Sequence, residues 1–82
     1  MAPRTLAQLP PGQRAVVLAV DGSSPIGQRL LDLGFLPGTS VTAVSRAPLG
    51  DPTVYALRGT RFCLRRREAE RVALAEADPV GE

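Results

Sequence analysis

Arg29-Leu-Leu-Asp-Leu-Gly-Phe-Leu-Pro-Gly38, written RLLDLGFLPG, places the end of a helix directly against a chain reversal. Gly34 stands where a helix terminates in the left-handed conformation. With Gly34 at C′, Phe35 falls at C″ and Leu30 at C3, the apolar pair that accompanies a Schellman cap. Leu36-Pro37-Gly38-Thr39 follows with proline and glycine at the two central positions of a type II turn, because proline presets the first φ and glycine accepts the positive second one. The stretch therefore predicts a helix that stops at Leu33, an aromatic clamp at its exit, and a strand launched by the corner at Gly38.

Upstream, Ser24 is a helix cap and Pro25 suits the first helical position, where a missing N–H costs nothing. The helix spans about 24–33, with Ile26, Leu30 and Leu33 on one stripe and Leu31 widening it. Gly27 weakens its first turn, so this helix relies on packing. Before it, Arg14 to Val20 reads as a strand ended by Asp21-Gly22, with Val16, Leu18 and Val20 on the more apolar, inward face. Thr5-Leu-Ala-Gln8 matches a capping box, which places a short helical turn near 6–9, and Pro10-Pro11-Gly12 stops it.

Downstream, a strand covers about 40–47, and Val41, Ala43 and Val44 leave its facing open. Pro48-Leu-Gly-Asp-Pro52 is a rigid loop with Leu49 exposed at its tip. Strands at 53–58 and 61–65 flank Gly59-Thr60, a two-residue connection of type II′ form. Tyr55, Leu57, Phe62 and Leu64 supply apolar faces to a common core. A helical turn near 66–70 leads to a last strand, 71–75, with Val72 and Leu74 inward. Five short strands and one inserted helix predict a mainly β fold, a five-stranded antiparallel barrel. Residues 1–75 form its single domain, and 76–82 are expected to be a frayed, acidic tail.

Composition excludes several classes of function. The chain has 82 residues, 44% of them hydrophobic and 22% charged, which is the profile of one ordinary globular domain. No apolar run approaches the roughly 20 residues of a membrane span, and the N-terminal stretch lacks the apolar segment of a secretory signal. With a single cysteine, a reducing cytoplasmic setting is expected. All ten basic residues are arginine, and eight acids leave a net charge of +2. Electrostatic steering of ligands is therefore weak.

Without histidine or lysine, a catalytic triad or an acid–base pair has no basis. Cys63, between Phe62 and Leu64, is expected to be a small packed side chain rather than a nucleophile. The scattered acids show no metal-ligand spacing, and residues 34–38 lack the lysine and the strand-loop-helix order of a phosphate loop. No cofactor is expected. Arg58, Arg61, Arg65, Arg66, Arg67 and Arg71 concentrate positive charge near the C-terminal end. They read either as a surface for an anionic partner or as a solvated rim balanced by Glu68 and Glu70. Three aromatics are too few for stacking on single-stranded nucleic acid.

Leu33-Gly34-Phe35-Leu36-Pro37-Gly38, the strand around Val41, Ala47-Pro48-Leu49-Gly50-Asp51-Pro52, Arg58-Gly59 and Leu64-Arg65-Arg66-Arg67-Glu68-Ala69 together resemble the FeoA family of bacterial ferrous iron transport. The resemblance runs from about Thr5 to Leu74. It implies an SH3-like barrel with an inserted helix, and a non-catalytic accessory or regulatory role beside FeoB, a membrane iron permease with a cytosolic GTP-binding domain. It implies a cytoplasmic protein recruited to the inner face of the membrane through that partner, with no small-molecule substrate. Two features depart from the family pattern, Cys63 and the dense Arg65–Arg67 run.

The residues expected to meet the partner are Leu36, Pro37, Leu49, Gly50, Asp51 and Pro52, with Arg65, Arg66 and Arg67 as a charged rim. Gly34, Gly38 and Gly59 are expected to serve the turns. The alternative reading is a nucleic-acid-binding barrel, or a stand-alone relative of the C-terminal domain of iron-dependent repressors. Self-association stays open.

Overall fold

The corner at residues 29–38 is present in the computed structural model of the chain, which describes residues 3–75. The expected tail, 76–82, lies outside the described residues. Strands β1 (Arg14–Val20), β2 (Ser40–Arg46), β3 (Thr53–Leu57), β4 (Thr60–Leu64) and β5 (Val72–Leu74) form one antiparallel sheet in the order β4-β3-β2-β1-β5. Helix α1 (Pro25–Leu33) is inserted between β1 and β2, a four-residue helix α2 (Arg66–Ala69) between β4 and β5, and a 3-10 turn covers Leu6–Gln8. The five strands and the inserted helix are those the sequence predicts.

Ser24 caps α1, its Oγ accepting from Gly27 N–H at 3.0 Å, and Pro25 opens the first turn. At the other end Gly34 has φ of 111°. Phe35 N–H donates to Leu30 O at 3.1 Å and Gly34 N–H to Leu31 O at 3.0 Å, the bond pair of a Schellman motif. Gly38, with φ of 88°, completes the turn, and Thr39 N–H donates to Leu36 O at 3.0 Å. Gly34→Val is expected to destabilise the domain by at least about 1–2 kcal/mol, since a branched Cβ is disfavoured in the left-handed region. Leu57 Cδ2, 3.4 Å from where that Cβ would stand, adds crowding. A urea titration checks this, and an unchanged midpoint would contradict the cap.

The core gathers Leu6, Leu9, Val17, Leu30, Phe35, Val41, Tyr55, Leu57, Leu64, Val72 and Leu74, with the smaller Ala15, Ala43 and Ala69 between them. Phe62 packs partly buried on Phe35, their ring centroids 5.6 Å apart and inclined by 58°. The Tyr55 hydroxyl donates to Leu6 O at 3.1 Å, so its buried polar end is satisfied, and burial raises its pKa. Arg46 ties the N-terminal turn down as well: Nε donates to Thr53 Oγ1 at 2.9 Å and Nη2 to Leu9 O at 2.8 Å.

Four local expectations are corrected. In β1 the buried side chains are Ala15 and Val17, whereas Val16 is 40% and Leu18 57% exposed. Val17 pairs with Leu74 and Ala19 with Ala73, so one extra residue interrupts the alternation. That bulge returns Val20 toward the interior opposite buried Val72, and a count of alternate residues fails across it. A second bulge, between Ala43 and Ser45, explains why β2 had no single facing: Val41 and Ala43 are buried and Val44 only half so.

The β3–β4 connection is Arg58-Gly59, not Gly59-Thr60, because Leu57 pairs with Thr60. Both turn residues have positive φ, 53° at Arg58 and 80° at Gly59, which is type I′ geometry. Gly59 keeps its turn role, and Arg58 occupies a conformation better suited to asparagine. Arg58→Asn is therefore expected to raise stability by about 0.5–1 kcal/mol, read as a melting temperature a few degrees higher. A lower melting temperature would contradict the turn assignment.

Thr5 makes no side-chain cap. Gln8 Oε1 accepts from Arg4 N–H at 2.7 Å instead, while the Thr5 backbone pairs with Ala73. Finally, Cys63 is exposed rather than packed. Leu64 takes the inward position of β4, and alternation turns its neighbour outward.

Candidate functional site

The loop between β2 and β3 is braced within itself and from outside. Ala47 N–H donates to Pro52 O at 3.0 Å and Gly50 N–H to Ala47 O at 2.7 Å, with Gly50 at φ of 92°. Asp51 Oδ1 accepts from the backbone N–H of Arg66 at 2.9 Å. The β3–β4 hairpin makes this contact possible: Thr53 pairs with Leu64, so residues just before β3 and just after β4 lie side by side. Leu49, at the loop tip, is 95% exposed. Full burial of such a side chain is worth about 1.5–3 kcal/mol, so Leu49 offers that much to whatever covers it.

Arg65, Arg66 and Arg67 stand at the start of α2 and are all exposed. With Asp51 and Glu70 they line an open pocket of about 400 Å³. The Arg66 guanidinium reaches back to the loop, its Nη2 3.5 Å from where a Cβ on Gly50 would stand. Glu68 does not balance these arginines as a rim acid would. Its Oε1 accepts from Arg65 N–H at 2.8 Å and its Oε2 pairs with Arg29 Nη1 at 3.1 Å. The other ion pair among the described residues joins Arg71 to Asp21 at 4.0 Å. Arg65, Arg66 and Arg67 thus make no side-chain ion pair among the described residues.

The predicted contact residues fall into two groups. Leu49, Gly50, Asp51 and Pro52 meet Arg65–Arg67 at one end of β2. Leu36 and Pro37 sit at its other end, where the corner extends the β1–β2 ladder through Val17 N–H to Thr39 O at 2.9 Å and Gly38 N–H to Val17 O at 2.8 Å. Leu36 is 40% exposed there. Val16 and Leu18 on β1 are surface residues that the sequence alone does not reveal: they alternate with buried Ala15 and Val17, and both faces of this strand are apolar. Asp21, which leads into α1, has its carboxyl pKa lowered by hydrogen bonds from Ser23 Oγ at 2.6 Å and Ser23 N–H at 3.0 Å. Among the described residues no three His, Cys, Asp or Glu side chains group closely enough to hold a metal ion.

Fold and surface together define a small SH3-like β domain that carries a braced loop and an arginine edge. The FeoA domain family model matches residues 4–76, and the chain belongs to the FeoA family. Its likeness to Stenotrophomonas maltophilia FeoA, an SH3 domain protein solved in complex with zinc, has 38% identity and a TM-score of 0.80 and covers 89% of this chain and 91% of that one. The Porphyromonas gingivalis Fe(2+) transport protein A/Fe(2+) transporter FeoB fusion protein is 36% identical over 67 residues, 82% of this chain. The chain spans about 8% of that relative's length. A manganese-dependent transcriptional repressor, at 14% identity and a TM-score of 0.77 over 94% of this chain and 44% of that one, shares the fold alone. The family is thus associated with ferrous iron transport.

Proposed function

We propose that this chain is a non-catalytic regulatory partner of a FeoB-type ferrous iron permease. It binds the permease's cytosolic GTP-binding part and is recruited to the inner face of the membrane by that contact. The observation that carries this reading is the fusion relative, in which a segment 36% identical to this chain shares one polypeptide with a FeoB transporter. Covalent linkage keeps two modules at high effective concentration, so a fused pair needs little intrinsic affinity. Contact with the permease has to come from the domain's own surface, and the Leu49 loop with Arg65–Arg67 is the surface suited to it. Residues 1–75 are the domain that does so.

The test is a titration of the full chain into detergent-solubilised FeoB permease from the same cell, followed by calorimetry. Saturable one-to-one binding with Kd about 1–100 μM is expected, as for a small transient interface. No saturation at about 1 mM would overturn the proposal.

A further inference from the structure

We infer that the Leu49 loop and the arginines of α2 form one bipartite dock for an acidic protein segment bearing an apolar side chain beside its carboxylates. This rests on the regulatory-partner reading above and names the chemistry the permease must present. The two halves of the dock are held in register. The bond from Arg66 N–H to Asp51 Oδ1, 2.9 Å, locks the loop to α2, and the Arg66 guanidinium lies against the Gly50 turn beside Leu49. A nearly naked leucine and an arginine fork therefore face the same partner.

Three arginines against Asp51 and Glu70 leave the pocket lining with a net charge of +1, which favours an anion. Among the described residues the donor capacity of the arginine side chains is unspent on acids. One oxygen of Asp51 is engaged by a backbone N–H, both oxygens of Glu68 are engaged, and among the described residues the side chains of Arg65–Arg67 pair with no acid. Glu70 is the remaining acid on the pocket lining. Guanidinium forks bind carboxylates and phosphates alike, so the second half of the dock decides between them. Leu49 is 95% exposed and has no counterpart on a phosphate backbone. Of the three aromatic side chains, Tyr55 and Phe35 are buried and Phe62 packs on Phe35, so none serves as a base-stacking platform. An acidic protein segment satisfies both halves, and a nucleic acid satisfies one.

The experiment measures affinity of the full chain for the solubilised permease at about 50 and about 300 mM NaCl, on either side of the screening length of a typical protein contact. Wild type is expected to weaken about tenfold across that range. R65Q/R66Q/R67Q is expected to bind about tenfold more weakly at low salt and to lose most of the salt dependence. Leu49→Ser is expected to weaken binding about tenfold while keeping the salt dependence, because it removes apolar burial alone. R65K/R66K/R67K keeps the charge and is expected to retain the salt dependence at reduced affinity. Melting curves matching wild type confirm that each variant is folded, as substitution of exposed side chains predicts.

Permease binding that is indifferent to salt and to both sets of substitutions would overturn the dock and leave the regulatory-partner reading standing. Absence of wild-type binding would overturn that reading and the dock with it. A labelled DNA duplex or single-stranded RNA retained at about 150 mM NaCl by wild type and released by R65Q/R66Q/R67Q would overturn the protein-segment assignment in favour of nucleic acid.

Discussion

Gly27→Ala is expected to destabilise the domain by at least about 3 kcal/mol and to lower its melting temperature by roughly 10–20 °C. Helix propensity alone predicts the opposite sign, since alanine in a helix is favoured over glycine by about 1 kcal/mol. Packing reverses it. A Cβ at Gly27 would fall within van der Waals contact of Asp21 O, would lie 2.7 Å from Asp21 C, and would crowd Ser24 Oγ at 3.2 Å. Two of these three neighbours are backbone and cannot swing aside. Accommodating the methyl group means moving the Asp21–Ser24 turn, with loss of the Ser24 cap on Gly27 N–H and of the bond from Gln28 Nε2 to Gly22 O at 2.6 Å. Thermal melts of the two proteins check this, and an equal or higher melting temperature for the variant would contradict the close approach.

Phe35→Ala is expected to cost about 3–5 kcal/mol, a large share of the stability of any domain of this size. Phe35 is completely buried and packs on Phe62, which joins the corner to the β3–β4 hairpin. Its N–H also closes the helix onto Leu30 O, so the residue that ends α1 is the residue that anchors it. Phe35→Leu retains most of the volume and is expected to cost less than about 1.5 kcal/mol, so the pair separates cavity formation from the cap. Urea titration gives both values. A loss below about 1 kcal/mol for alanine would show that the corner is not a core element.

These two effects differ in how far the sequence anticipates them. Gly34, Phe35, Pro37 and Gly38 are legible because a Schellman cap and a type II turn are decided by the backbone preferences of adjacent residues. Gly27 reads from sequence as a weak helical position, and only the crossing of Asp21, six residues away, reveals why alanine is excluded. The β3–β4 turn lies between these cases. Gly59-Thr60 satisfies the local rule for a type II′ turn and Arg58-Gly59 strains the one for type I′, yet the pairing of Tyr55 with Phe62 and of Leu57 with Thr60 chooses the second. In β1 both faces are apolar, so composition does not choose between them: pairing with β2 sets Ala15 beside buried Val41, and a bulge opposite β5 then brings Val20 back to the same side.

The candidate site is partly legible in the same sense. The exposure of Leu49 follows from a leucine placed between proline and glycine in a tight loop. The convergence of Asp51 with Arg66, fifteen residues apart, depends on the hairpin register. Glu68 illustrates the limit of reading charge from sequence. Its neighbours suggest a local counterion for Arg65–Arg67, yet the fold turns it to the Arg65 backbone and to Arg29 on α1.

A regulator must prefer one state of its target, because a ligand that binds two states equally shifts neither. The direct measurement is the affinity of the full chain for solubilised FeoB permease loaded with GDP and, separately, with a non-hydrolysable GTP analogue. At least a fivefold difference in Kd between the two states is predicted, corresponding to a coupling of about 1 kcal/mol. Equal affinity for both nucleotide states would contradict a regulatory role for this chain.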